Sequence, residues 1–87
     1  MADQIWQVSI VFTEEGDRTR ADAMLELADD HYHGYGRAKK APGDPTVPVI
    51  GQDLAAARAL SDLSHQLLSA AAERIEEREG HTVKVHD

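Results

Sequence analysis

The sequence predicts an α+β fold, an antiparallel three-stranded meander covered on one face by one long C-terminal helix. Three observations carry this prediction. Three stretches between Ile5 and Lys39 alternate apolar and polar side chains with period two. Short turn-rich segments separate them, and from about Gln52 to Glu79 the apolar residues recur at helical spacing. The 87 residues form a single domain, 1–87, because a chain this short fills only one modest core.

In the first stretch Trp6, Val8, Ile10 and Phe12 share one face and Gln7, Ser9 and Thr13 the other, with Val11 the apolar exception. That is a strand with one buried side. "EEGDR" (Glu14 to Arg18) supplies turn chemistry, after which Ala21, Ala23, Leu25 and Leu27 point inward and Arg20, Asp22, Met24 and Glu26 outward, so a hairpin follows. "ADD" (Ala28 to Asp30) makes the second turn. The third strand then sets Tyr32, Gly34, Gly36 and Ala38 against His31, His33, Tyr35, Arg37 and Lys39. Its inner face is almost bare of side chain, which a strand tolerates where another backbone approaches closely. A helix crossing Gly34 and Gly36 accounts for both glycines.

Pro42, Pro45 and Pro48 with Gly43 and Gly51 read as a long irregular connection, with Val47, Val49 and Ile50 pinning it to the edge of the core. In the helix, Ala57, Leu60, Leu63, Leu67, Leu68, Ala71 and Ile75 form the expected inward stripe, opposite Arg58, Asp62, His65, Ser69, Glu73 and Glu76. Asp53 near its start suits the helix dipole and Gly80 its end. "HTVKVH" (His81 to His86) alternates enough for a short fourth strand or an ordered tail.

Charge and composition narrow the functional classes. The net charge is −7, with eight acids against Arg18 and Arg20 in the first thirty residues, and the one basic stretch is "RAKK", Arg37 to Lys40. Such a surface repels phosphate backbones and anionic membranes at long range. With no cysteine there is no disulfide, thiolate zinc site or thiol nucleophile. No apolar run approaches the roughly 20 residues of a membrane span, and no basic leader opens the chain. The expectation is a cytoplasmic protein with no membrane role.

The run "PTVPVIGQDLAAARALSDLSHQLL", Pro45 to Leu68, with "GDRTRADA" and "GYGRA" upstream, resembles a small actinobacterial family of unknown function. The resemblance runs from Trp6 to about Ile75. It implies a fold similar to the double-stranded-RNA-binding domain, with no established activity and no functional residue to carry over. That domain's pattern is echoed in Gly34, Gly36, Lys39, Lys40, Ala55, Ala56, Ala59 and Leu60. The echo breaks where "APGDPTVPVIGQD" parts the two lysines from the helix, where Asp53 stands at the helix entrance, and where the first RNA-contacting helix is missing. Nucleic acid is therefore an unlikely partner.

Catalytic and metal constellations are sparse. His31 and His33 beside Asp29 and Asp30 make half of a metal site, with only His81 and His86 to complete it, and surface histidines at a turn explain them as well. "SDLSH" (Ser61 to His65) holds triad residue types on one convex helix face, without oxyanion donors or a pocket. Arg58 and Asp62 read as an exposed i,i+4 ion pair. No enzyme activity, metal or cofactor is expected. What remains is the outer sheet face, where Val11, Arg20, Met24, Tyr35, Arg37 and Lys39 form the candidate interaction face. The expected role is a non-enzymatic interaction module, binding a protein partner or self-associating as a homo-oligomer. The alternative is a weak nucleic-acid binder using Arg20, Arg37, Lys39 and Lys40.

Overall fold

The computed structural model describes residues 3–40 and 48–79. Its elements are β1 (Val8–Glu15), β2 (Arg18–Glu26), β3 (His31–Lys39) and α1 (Pro48–Glu79), and the strands form one antiparallel sheet with β2 in the middle. The predicted α+β meander with one long helix is therefore the observed fold. The fourth strand proposed for His81 to His86 lies outside the described residues.

β1 and β2 join through a two-residue loop, Gly16–Asp17, between the paired Glu15 and Arg18. Gly16 holds φ +61°, and no other described residue has positive φ, so this is the hairpin turn that needs glycine in its first central position. The second hairpin is closed by the Leu27 N–H bonded to the Asp30 carbonyl at 2.8 Å.

The helix packs against β3 and β2. Its approach is set by the two glycines. A Cβ on Gly36 would stand 2.5 Å from the Ala55 carbonyl oxygen and the Ala59 nitrogen, and one on Gly34 2.5 Å from the Ala59 oxygen and the Leu63 nitrogen. No real side chain fits there, so helix backbone lies directly on strand backbone, as the alternation of Gly34 and Gly36 predicts. The core along this seam consists of Ala21, Ala23, Leu25 and Ala38 from the sheet and Ala55, Ala59 and Leu63 from the helix.

Three expectations need correction. The helix begins at Pro48, so Pro48, Val49, Ile50 and Gly51 are helical rather than part of the connection, and Val49 and Ile50 are exposed rather than pinned to the core. Proline fits a first helical turn because its missing N–H has no intrahelical partner there. Asp53 accordingly sits in the second turn, and the first turn holds no acid. The inward stripe is also rotated. Ala55, Ala59 and Leu63 are buried, while Ala57 and Leu60 are exposed. Last, the predicted inner face of β1 is not covered: Trp6, Val8 and Phe12 are 57%, 42% and 39% exposed, and Ile10 is only partly buried.

Candidate interaction surface

The geometry of the site follows from where one helix lies on three strands. A helix about 10 Å wide spans two strands set about 4.8 Å apart, and this one covers β3 and β2. Its two flanks therefore meet different things.

On the β3 side the flank is polar. Arg58 Nη1 donates to the Arg37 carbonyl at 2.6 Å, Asp62 Oδ2 accepts the Tyr35 N–H at 2.9 Å, and Gln66 Nε2 donates to the His33 carbonyl. Steps of four residues on a helix advance about 6.0 Å, and steps of two on a strand about 6.8 Å. The two repeats nearly match, so Arg58, Asp62 and Gln66 track Arg37, Tyr35 and His33 in antiparallel order. They take one outward backbone group each from three residues of an edge strand, groups that would otherwise invite another chain. Sequence reading treats Arg58 and Asp62 as a solvated pair and misses Gln66. The available signal is a polar i, i+4, i+8 row displaced by three positions from Ala55, Ala59 and Leu63.

The same hydrogen bonds fix which groups point outward across the whole sheet. The odd residues of β3 face away from β2, while Lys40 donates to the Asp17 carbonyl at 2.8 Å on the inward side. Following the registers Ala21↔Gly36 and Val11↔Asp22, the odd residues of β1 bond to β2 and the even ones present N–H and C=O to the free edge. Those even residues are Val8, Ile10, Phe12 and Glu14. They lie opposite Leu25, Ala23, Ala21 and Thr19, on the face that carries the helix. Gln52 reaches Glu14 at 3.5 Å, which puts Ala56 and Leu60, one and two turns further, on the helix flank that overlooks β1. The result is an apolar shelf of Val8, Ile10 and Phe12 beside a strand edge that no other strand pairs with among the described residues.

The outer sheet face holds the residues predicted from sequence. The structure brings three of them together: the Arg20 guanidinium lies 4.6 Å and that of Arg37 5.4 Å from the centre of the Tyr35 ring. Arg20 also grips Asp22 with contacts of 3.0 to 3.2 Å, and His33 Nε2 lies 2.7 Å from Asp22 Oδ1. These hydrogen bonds, from Arg20 first and His33 second, hold the Asp22 carboxyl below its usual range, and Asp22 in turn raises Arg20. Val11 is exposed beside this cluster, opposite Asp22. Met24 lines a separate open depression of about 570 Å³ with Ile5, Trp6, Gln7, Ser9 and Glu26. Lys39 stands apart at the sheet end, opposite Arg18.

Among the described residues no three metal-capable side chains gather, and no helix is long and apolar enough to cross a membrane. His81 and His86 lie outside the described residues. Of the triad types, Asp62 is committed to the Tyr35 N–H.

The model of the Rv2632c-like family matches residues 4–84. The uncharacterised Mycobacterium tuberculosis protein Rv2632c is 43% identical over 70 residues, covering 80% of this chain and 75% of its own. Another uncharacterised protein of that organism, MT1780, is 41% identical over 73 residues, 84% of this chain and 78% of its own. A crystal structure of Rv2632c superposes with a TM-score of 0.83 at 38% identity, covering 90% of this chain and 93% of that one.

Proposed function

The chain belongs to the Rv2632c-like family, and we propose that it is a non-catalytic protein-interaction module that docks its partner on the β1 side of the sheet. One observation carries the reading: the buried core is built mostly of alanine, while several large apolar side chains stay at the surface. Five of the seven buried core residues are alanines, with Ala21, Ala23, Ala55 and Ala59 at 0% exposure, whereas Trp6, Val8, Val11 and Phe12 remain at the surface. Burying a Val, Ile or Phe side chain fully stabilises by about 1.5 to 3 kcal/mol. The isolated chain forgoes much of that at the shelf, and a partner surface recovers it. Apolar residues clustered beside an open strand edge are the pattern of a docking surface.

The cation-bearing outer face supports the nucleic-acid alternative less well. Arg20 is occupied by Asp22 and stacked on Tyr35, and the net charge of −7 opposes any phosphate backbone.

The test is a photo-crosslinking residue placed at Phe12 and, separately, at exposed Ser61 on α1, in cells that produce the protein. Specific protein adducts are expected from position 12 and not from 61. Equal labelling from both positions, or none from 12, refutes the assignment.

A further inference from the structure

We propose that the occupant of the β1 side is a second copy of this chain, joined by antiparallel pairing of β1 with β1 about a two-fold axis through Ile10, to give one six-stranded sheet. This rests on the interaction reading above and specifies its partner.

The edge itself selects the register. Its outward backbone groups belong to even residues, so two such edges bond directly only when the paired residue numbers are both even. Pairing Ile10 with Ile10 sets Val8 opposite Phe12 in both directions, so every outward apolar residue of the shelf meets another. Registers centred on Phe12 or Val11 would put Ile10 or Val8 against Glu14, and those centred on Val8 or Ser9 would carry Phe12 past the start of the partner's strand. On the other face Ser9 meets Val11, giving the exposed Val11 a cross-strand neighbour.

Charge agrees with that register. Glu14 and Glu15 are the acids of β1, and in an acidic protein their mutual approach would oppose association. About the Ile10 axis, the two copies of Glu14 are about 27 Å apart, well beyond a screening length of about 8 Å. They extend toward the other copy's Trp6 and Ile5, both of which are exposed.

The other edge explains why assembly stops at two. Arg58, Asp62 and Gln66 each take one outward group of β3, the Arg37 C=O, the Tyr35 N–H and the His33 C=O, and their side chains obstruct a continuous ladder there, so among the described residues only the β1 edge is left unobstructed. A molecule with one open edge pairs and closes, whereas one with two would continue into a fibre.

The absence of cysteine makes the register measurable. Directly opposed Ile10 residues bring Cα atoms to about 5.5 Å, inside the disulfide range. Thr13 would lie about 20 Å from its own counterpart. The experiment combines sedimentation of the full chain from about 1 to 100 μM, oxidation of Ile10→Cys and Thr13→Cys by oxidised glutathione, and residue-resolved amide exchange of the unmodified protein. Expected are a dimer, at least about 10-fold more linked species from Ile10→Cys than from Thr13→Cys, and protection of the Val8, Ile10 and Phe12 amides that rises with concentration. Ile10→Pro removes an outward N–H and no ladder bond to β2, together with the packing of Ile10 against the core, and should give a monomer that is folded but less stable.

A monomer at about 100 μM overturns the pairing while leaving the Phe12 crosslinking result to judge docking by another protein. A dimer with equal linking at both cysteines, or with Val8, Ile10 and Phe12 amides unprotected, overturns the pairing and again leaves the Phe12 crosslinking result to judge docking by another protein. Protection independent of concentration and lost on removing residues 80–87 assigns the edge to the chain's own tail, which also overturns the pairing.

Discussion

At the β3 edge of the sheet, helix side chains take up the His33 and Arg37 carbonyls and the Tyr35 N–H, and two glycines let the helix backbone settle onto the strand. At the β1 edge the outward groups of Val8, Ile10 and Phe12 meet no helix side chain among the described residues, and their side chains lie half-covered beside the helix. The same helix creates both conditions, because covering β3 fully leaves too little width to reach β1. The difference teaches that stability and recognition are drawn from opposite sides of one small sheet. Substitutions on the β3 side should unfold the chain, and those on the β1 side should change what it binds.

The strongest break of that contrast comes from Gly36→Val. The new side chain would collide with the backbone of Ala55 and Ala59, which cannot swing aside as a flexible side chain can. The helix must lift, and a loss of about 3 kcal/mol or more is expected in urea unfolding. Ser9→Val, on an exposed position of β1, should stay within about 0.5 kcal/mol. Equal midpoints for the two would show that the seam is not the anchor.

Next in size is Asp62→Ala. It strips the Tyr35 N–H of its acceptor while the ladder on the other side stays intact, at a cost of about 1 to 2 kcal/mol. It also opens the second edge. Species larger than a dimer should therefore appear in sedimentation for Asp62→Ala and not for the parent. If the variant behaves as the parent does, the helix row is incidental to edge protection.

Phe12→Lys sharpens the contrast from the other side. In dilute protein, at about 0.1 μM, it should cost about 1 kcal/mol, well below the loss from Gly36→Val, because Phe12 is 39% exposed and outside the buried core. The readout is the fluorescence of Trp6, the chain's single tryptophan. Destabilisation as large as that of Gly36→Val would place the shelf in the core of the monomer.

These differences mark where the sequence could be read and where it could not. Period-two alternation is a local signal and located all three strands, and the paired glycines of β3 announced the close helix. Which strands the helix covers is not local. Alternation assigns Val8, Ile10 and Phe12 to the helix side of the sheet correctly, but burial also depends on the helix width against the sheet width. Pro48 and Gly51 were read as breakers, yet Pro48 stands in the first helical turn and Gly51 lies close under the Thr19 hydroxyl, where an added Cβ would come within 3.0 Å. The row Arg58, Asp62 and Gln66 looked like solvated surface because its partners are backbone groups 21 to 33 residues away. On the outer face, the clustering of Arg20, Tyr35 and Arg37 was legible from strand parity, while the grip of Arg20 on Asp22 was not.

The smallest effect concerns Asp22, which binds the central strand to β3 through His33 and has no such tie to β1. Its carboxyl is held below the usual value by hydrogen bonds from Arg20 and then His33. A depressed carboxyl pKa means that the charged form is favoured by folding, so the contribution is full above the unfolded value of about 3.9 and is lost as pH falls through the lower folded value. The difference in stability between the parent and Asp22→Asn should shrink as pH falls below about 4. Raising the salt concentration should shrink it at neutral pH as well, because the pair is partly exposed and screened. A difference that instead grows as pH falls below about 4 would mean that Asp22 is better protonated in the fold. The outer face would then be a site kept under strain for a ligand, and the division between a stabilising β3 side and a recognising β1 side would have to be redrawn.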